Sequence, residues 1–184
     1  MVDFSRNPIA AAIRTEKDFS TALKSNVEVI FLLHSNIMTL NQCVKEIHGV
    51  GKKAFVHVDF AEGLGKDRFG LEFLAKQGVD GVLTTRTNIV RAAKDLNMIA
   101  VQRFFIVDSH SVDTAVDSIK ISKPDMIEMM PGIVLKKIAE FAQKVEMPII
   151  AGGLVEEQEE VNLALKAGAT AVSTGNSQLW NMNI

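Results

Sequence analysis

The sequence predicts an α/β fold, a compact TIM-barrel-like (β/α)8 domain spanning residues 1–184. Three observations carry that prediction. Short apolar runs rich in β-branched residues alternate with stretches of helical periodicity along the chain. The runs are continuous or nearly so, as expected of strands buried on both faces of a parallel sheet. There are eight of them, and eight parallel strands joined by helical crossovers can close on themselves. An open doubly wound sheet is the competing architecture. Length weighs against the barrel. At 184 residues each repeat has about 23, whereas such barrels typically take about 250 in total. Loops and some helices must therefore be minimal.

The first run, Ile9–Ile13, leads into a helix over 16–24 with Thr15 at its N-cap. The second, 27–33, precedes a helix over 38–49 that carries Cys43 and His48 as structural residues. The third, 54–59, is followed by the loop Ala61-Glu62-Gly63-Leu64-Gly65-Lys66-Asp67 and a helix over 70–77, with Gly78 after its last turn. That loop reads either as a lid over a ligand or as an ordinary solvated connection. Gly81–Thr84 leads to a helix over 87–96, and Ile99–Phe105 to one over 111–121 with Ser111 at the N-cap. The sixth run, 126–129, precedes a helix over 132–145 opened by Pro131, where a missing N–H costs nothing. Its stripe is Val134, Leu135, Ile138, Phe141 and Ala142. The seventh, 148–151, leads to a helix over 156–167 with Gly168 after it. The eighth, 171–173, leaves room for only a short helix over 176–180.

Composition excludes several classes. With 47% hydrophobic residues, 23% charged and a net charge of −2, the chain is neither disordered nor a basic coat for nucleic acid. No apolar run reaches the roughly 18–20 residues of a membrane span, and the start does not read as a signal peptide. Cys43 is the lone cysteine, which fits a reducing cytoplasm. The sequence has no CxxC, HExxH, GxGxxG, Walker A or Gly-x-Ser-x-Gly motif, so no catalytic residue and no resident cofactor or metal are assigned.

Polar residues gather at predicted strand C-termini, where such barrels build their sites. Alternation along 55–59 turns Phe55, His57 and Asp59 inward, and along 126–129 it turns Met126 and Glu128 inward. Asp59 and Glu128 read as ligand contacts or as solvated carboxylates, and His57 as a ligand contact or a satisfied core histidine. A carboxylate pair can also hold Mg²⁺ beside a phosphate, although nothing in the spacing demands it. The glycines are more telling. Gly152 and Gly153 follow the seventh strand; Thr174, Gly175 and Asn176 follow the eighth and open the last helix. Loops at those two positions cradle phosphates in this architecture, since glycine lets backbone N–H groups approach the anion and a helix start offers unpaired donors.

The segments NPIAAAIR (7–14), FLLHSNI (31–37), FVHVDFAEGLGKD (55–67), QRFFIVDS (102–109), PDMIEMMPG (124–132), PIIAGGL (148–154) and STGN (173–176) together resemble the bacterial glycerol uptake operon antiterminator family, over essentially the whole chain. Asn176 departs from the serine or alanine expected after STG. The resemblance implies a (β/α)8-like regulator that responds to glycerol 3-phosphate and acts on the leader mRNA of glycerol-utilisation genes. It implies a phosphate on Gly152, Gly153, Thr174, Gly175 and Asn176, with the polyol met by Arg14, His57, Asp59, Arg103 and Glu128. The RNA does not follow from composition. The candidate contacts are Lys66, Arg68, Arg86, Arg91 and Lys94, with Lys52 and Lys53 nearby, or Lys136, Lys137 and Lys144 on the sixth helix. A homo-oligomer through exposed Leu179, Trp180 and Ile184 is a further expectation. The alternatives are a small polyol- or triose-phosphate enzyme with Asp59 as base and Glu128 as acid, and a sensor that binds another protein.

Overall fold

The computed structural model describes residue 2 and residues 4–182. Strands β1 (Ile9–Ile13), β2 (Val29–Leu32), β3 (Lys53–His57), β4 (Gly81–Thr84), β5 (Ile99–Phe105), β6 (Met126–Met130), β7 (Ile149–Gly152) and β8 (Ala171–Thr174) pair in sequence order, all parallel. The register closes the sheet: Ala10–Ile13 lie opposite Val29–Leu32, and Ile9 lies opposite Val172 on β8. The barrel is therefore complete within 184 residues, and the open-sheet alternative falls.

Length is saved in the crossovers. Helices α1 (Glu16–Lys24), α2 (Leu40–Gly49), α3 (Arg68–Lys76), α4 (Thr87–Asp95), α6 (Leu135–Ala142) and α7 (Gln158–Lys166) have ten residues or fewer; α5 (Ser109–Ser122) is longer. After β8 the described residues make a 3₁₀ turn, Ser177–Asn181.

Period-two alternation sorts the strands into two apolar layers. Ala10, Phe31, Phe55, Val101, Met126, Ile150 and Ala171 fill the barrel, with Phe4 among them. Ala11, Ile30, Val56, Ile127, Met129 and Val172 face the helices. This matches the inward and outward phases read from β3 and β6.

Several local expectations shift. Strand β3 ends at His57, and Val58–Phe60 form a 3₁₀ turn, so Asp59 leaves the alternation early. Thr15 caps α1 in a capping box with Asp18 as expected. The cap of α5 is Asp108 rather than Ser111: Ser111 is the N3 residue that bonds back to it. Pro131 does not open α6, which begins four residues later at Leu135 behind Val134. Gly132 instead donates to the Gly152 and Gly153 carbonyls, tying that connection to the loop after β7.

The C-terminal apolar residues do not form an exposed face. Trp180 is fully buried and Leu179 nearly so, both in the outer core. Trp180 donates its indole N–H to the Thr174 carbonyl at 2.9 Å. Among the described residues, this turn covers the last strand. Ile184 lies outside the described residues.

Candidate functional site

The loops after β1, β5, β6, β7 and β8 surround a cavity of about 750 Å³ at the C-terminal mouth. Its floor is ionic. On neighbouring strands Arg103 and Glu128 are paired in register. Arg103 donates through Nε to Glu128 Oε2, and Ser173 donates its hydroxyl to Oε1. Glu128 is 1% exposed and Arg103 7%. A buried carboxylate needs such partners, because desolvation of an unpaired charge costs several kcal/mol. Among the described residues the terminal guanidinium nitrogens of Arg103 have no hydrogen-bond partner, and the residue lines the cavity.

Gly152 is required by this floor. A Cβ there would stand 2.6 Å from both Glu128 Oε1 and Ser173 Oγ. The chain then turns through two left-handed residues, Gly153 (φ 75°) and Leu154 (φ 60°). That conformation is ordinary for glycine and strained for leucine, the kind of strain that collects at ligand clamps. Among the described residues, the backbone N–H groups of Leu154 and Gly175 donate to nothing, and both residues line the cavity beside Gly153. Both residues are exposed, so their donors are open to water and to an entering anion.

Thr174 and Asn176 shape the loop around those donors. The Thr174 hydroxyl donates to the Val155 carbonyl at 2.7 Å and accepts from the Asn176 N–H at 3.0 Å. The Asn176 amide donates to the Glu156 carbonyl, and its oxygen caps the 3₁₀ turn. Arg14 stands exposed on the rim, without a hydrogen-bond or ion partner among the described residues. Two guanidinium groups and two free N–H groups suit an anion. The buried Glu128–Ser173–Arg103 set offers donors and acceptors for hydroxyls.

His57 and Asp59 do not line this cavity. Asp59 accepts from the Thr85 N–H at 2.8 Å and from the Thr84 and Thr85 hydroxyls, and pairs with Arg86 Nε at 3.1 Å. Burial pushes its carboxyl up, but the His57 ring, the Thr85 N–H and the Thr84 hydroxyl outweigh that and hold it well below the usual carboxylate range. His57 is buried beside Asp59 and packs edge-on against Phe60, with ring centroids 4.8 Å apart. Asp59 and Glu128 thus sit in separate networks.

The cationic candidates divide between the two ends of the barrel. Lys66, Arg68 and Arg86 stand on the C-terminal rim, with Arg91 exposed on α4. Lys94 lies at the opposite end, paired with Asp125 at 3.0 Å and bonded to the Lys123 carbonyl. Lys53 pairs with Asp80. Lys52 is buried and donates to the Ser25 and Val27 carbonyls, and burial lowers its pKa. These three therefore do not belong to one patch with the rim cations. Lys137 and Lys144 pair with Glu140, and Lys144 also with Asp113.

Two contributors escaped sequence reasoning. Ser173 shares the inward phase of Ala171, so alternation alone could have found it. Leu154 carries no sequence signal: its contribution is a backbone conformation.

Residues 9–180 match the family described as glycerol-3-phosphate responsive antiterminator. The chain is 35% identical over 178 residues to "Uncharacterized protein YgcP" of Escherichia coli (strain K12), covering 96% of this chain and 93% of that one. It is similar to the crystal structure of the glycerol uptake operon antiterminator regulatory protein of Listeria monocytogenes str. 4b F2365, with 36% identity, TM-score 0.92 and 97% of each chain covered. It is also similar to a glycerol uptake operon antiterminator-related protein of Thermotoga maritima MSB8, with 34% identity, TM-score 0.85, and 95% and 98% of the two chains covered.

Proposed function

The chain belongs to the glycerol-3-phosphate responsive antiterminator family, and from that premise we propose that the cavity at the mouth of the barrel is the effector site. Glycerol 3-phosphate binds there, and the liganded protein engages the leader mRNA of glycerol-utilisation genes in the cytoplasm. One observation carries this reading: two unpaired backbone N–H groups, of Leu154 and Gly175, line the same cavity as Arg14 and the buried Arg103. The phosphate rests on the N–H groups, with Thr174 and Asn176 holding their loop and Gly152 leaving room beneath. Arg14 adds charge from the rim. The glycerol hydroxyls meet Arg103 and the Glu128–Ser173 pair.

The effector regulates only if it binds the RNA-competent state better than the other. An enzyme reading asks Asp59 to act as base and Glu128 as acid. Both carboxylates are already bonded on both oxygens, Asp59 to Thr84, Thr85 and Arg86, Glu128 to Ser173 and Arg103. That arrangement favours binding over turnover.

Thermal unfolding with glycerol 3-phosphate, against glycerol and inorganic phosphate, tests the site. Ligand at 100 times its Kd adds about 2.7 kcal/mol of apparent stability. A midpoint rise well beyond both controls is expected, followed by ligand-dependent binding of leader RNA. No rise at millimolar effector would overturn the reading.

A further inference from the structure

We propose that the rim over β2–β4 is the surface that takes unpaired nucleotides of the RNA, with bases stacking on the rings of His34, Phe60 and Phe69 and phosphates meeting Lys66, Arg68 and Arg86. The inference rests on the antiterminator reading above and assigns the partner's place on the molecule.

The rings come first. Phe69, in the first turn of α3, is 78% exposed, and Phe60 is 57% exposed. Large aromatic faces turned to water on one rim mark an interaction surface. Phe60 is also held in place. Its ring stands edge-on to buried His57 and 5.7 Å from the exposed His34 ring. The partner that uses flat, fixed rings beside cations is a single strand, whose bases stack on aromatic faces while its backbone follows positive charge. A fully paired RNA helix does not expose its base faces.

The cations are arranged to match. Lys66 is exposed and has no hydrogen bond or ion pair among the described residues. Arg68 and Arg86 are each anchored through Nε, to Glu72 and Asp59 respectively, which orients their planar forks. Such forks suit phosphate oxygens and also stack on bases.

The backbone underneath is pinned. Ala61–Glu62 pair in parallel with Ser35–Asn36, Ile37 N–H donates to the Glu62 carbonyl, and Asp67 caps α3 through the Gly70 N–H. A surface ordered before binding loses less on association. The nearby acids, Asp59, Glu62, Asp67 and Glu72, leave this rim close to neutral. Stacking therefore carries the affinity, and salt dependence is shallow, with a log–log slope of about −0.7 per phosphate contacted.

Anisotropy titration of labelled leader RNA with the full chain at saturating glycerol 3-phosphate tests this. The variants are Phe69→Ala, Phe69→Tyr and Lys66→Gln, and the effector-induced rise in unfolding midpoint is recorded for each. Phe69→Ala is expected to weaken RNA binding about tenfold. Phe69→Tyr restores it, Lys66→Gln reduces the salt slope, and the midpoint rise is unchanged throughout. A fully paired RNA duplex fails to compete. Wild-type RNA affinity in both Phe69→Ala and Lys66→Gln overturns the assignment while leaving the effector reading intact. Wild-type RNA affinity combined with lost self-association in Phe69→Ala overturns it in favour of a protein contact. If the wild-type protein binds no leader RNA with effector present, the antiterminator reading itself fails, and this surface fails with it.

Discussion

Two sectors of the C-terminal rim solve opposite problems. Around β5, β6, β7, β8 and β1, charge is buried and backbone donors are left open: Glu128 and Arg103 sit beneath unpaired N–H groups. Over β2–β4 the arrangement inverts. Asp59 is saturated by Thr84, Thr85 and Arg86, and aromatic rings face water. The same sequence signal, a polar residue where a strand ends, therefore does two jobs. In one sector it lines a cavity; in the other it staples neighbouring loops. The difference teaches that a carboxylate at a strand end is assigned by its neighbours across the barrel, not by its position along the chain.

Cutting the ionic floor breaks the comparison most severely. Arg103→Met leaves Glu128 buried beside Ser173 alone. Urea denaturation should show a loss of about 3–5 kcal/mol, with effector stabilisation abolished. A loss below 1 kcal/mol would mean that the pair is not held as described. The next largest effect probes how firmly the β2–β4 sector is pinned. A Cβ on Gly70 would stand 1.8 Å from the Gly65 carbonyl oxygen, so Gly70→Ala must displace backbone. A cost of about 1–3 kcal/mol is expected in the same assay, with the effector Kd unchanged.

Arg14→Gln sharpens the division from the other side. It should raise the effector Kd about tenfold, roughly 1.4 kcal/mol, by isothermal titration, without altering intrinsic stability. An unchanged Kd would remove Arg14 from the site. Asp59 supplies a pH test. Its folded pKa lies below its unfolded value of about 3.9, so its contribution is present above that pH and is lost as pH falls further. Stability curves of Asp59→Asn should run closest to wild type at the acid end, diverge as pH rises towards 4 and run parallel above it. Curves that stay parallel below pH 4 as well would refute the staple. The smallest effect is Arg68→Gln, which breaks an exposed pair and should cost at most about 0.5 kcal/mol in urea.

Much of this molecule was legible along the chain. β1, β4 and β5 were read with the observed ends, and the inward phase of Phe55, Met126 and Glu128 followed from alternation. The glycines after β7 and β8 stand where a phosphate loop is expected. Less legible were the residues whose role depends on a distant partner. Thr174 and Asn176 looked like ligand donors, but their polar groups serve Val155, Glu156 and the turn over β8. Trp180 looked like a surface residue near a terminus, but the short last turn makes it the cover of β8. Lys52 looked like part of a basic patch, but two carbonyls at the far end of the barrel hold it.

The sequence by itself determined the eight barrel strands, their succession along the chain and the inward or outward phase within most of them, because hydrophobic period and local capping act within one or two turns of chain. Only the tertiary structure decided which strand ends share a cavity. Closing eight strands sets Arg103 against Glu128 across 25 residues and Ser173 against Glu128 across 45, and it carries Asp59 to Thr84 and Thr85 instead. Hydrogen bonds and ion pairs act over about 3 Å, so a residue's chemistry is settled by whatever the closed barrel places within that reach.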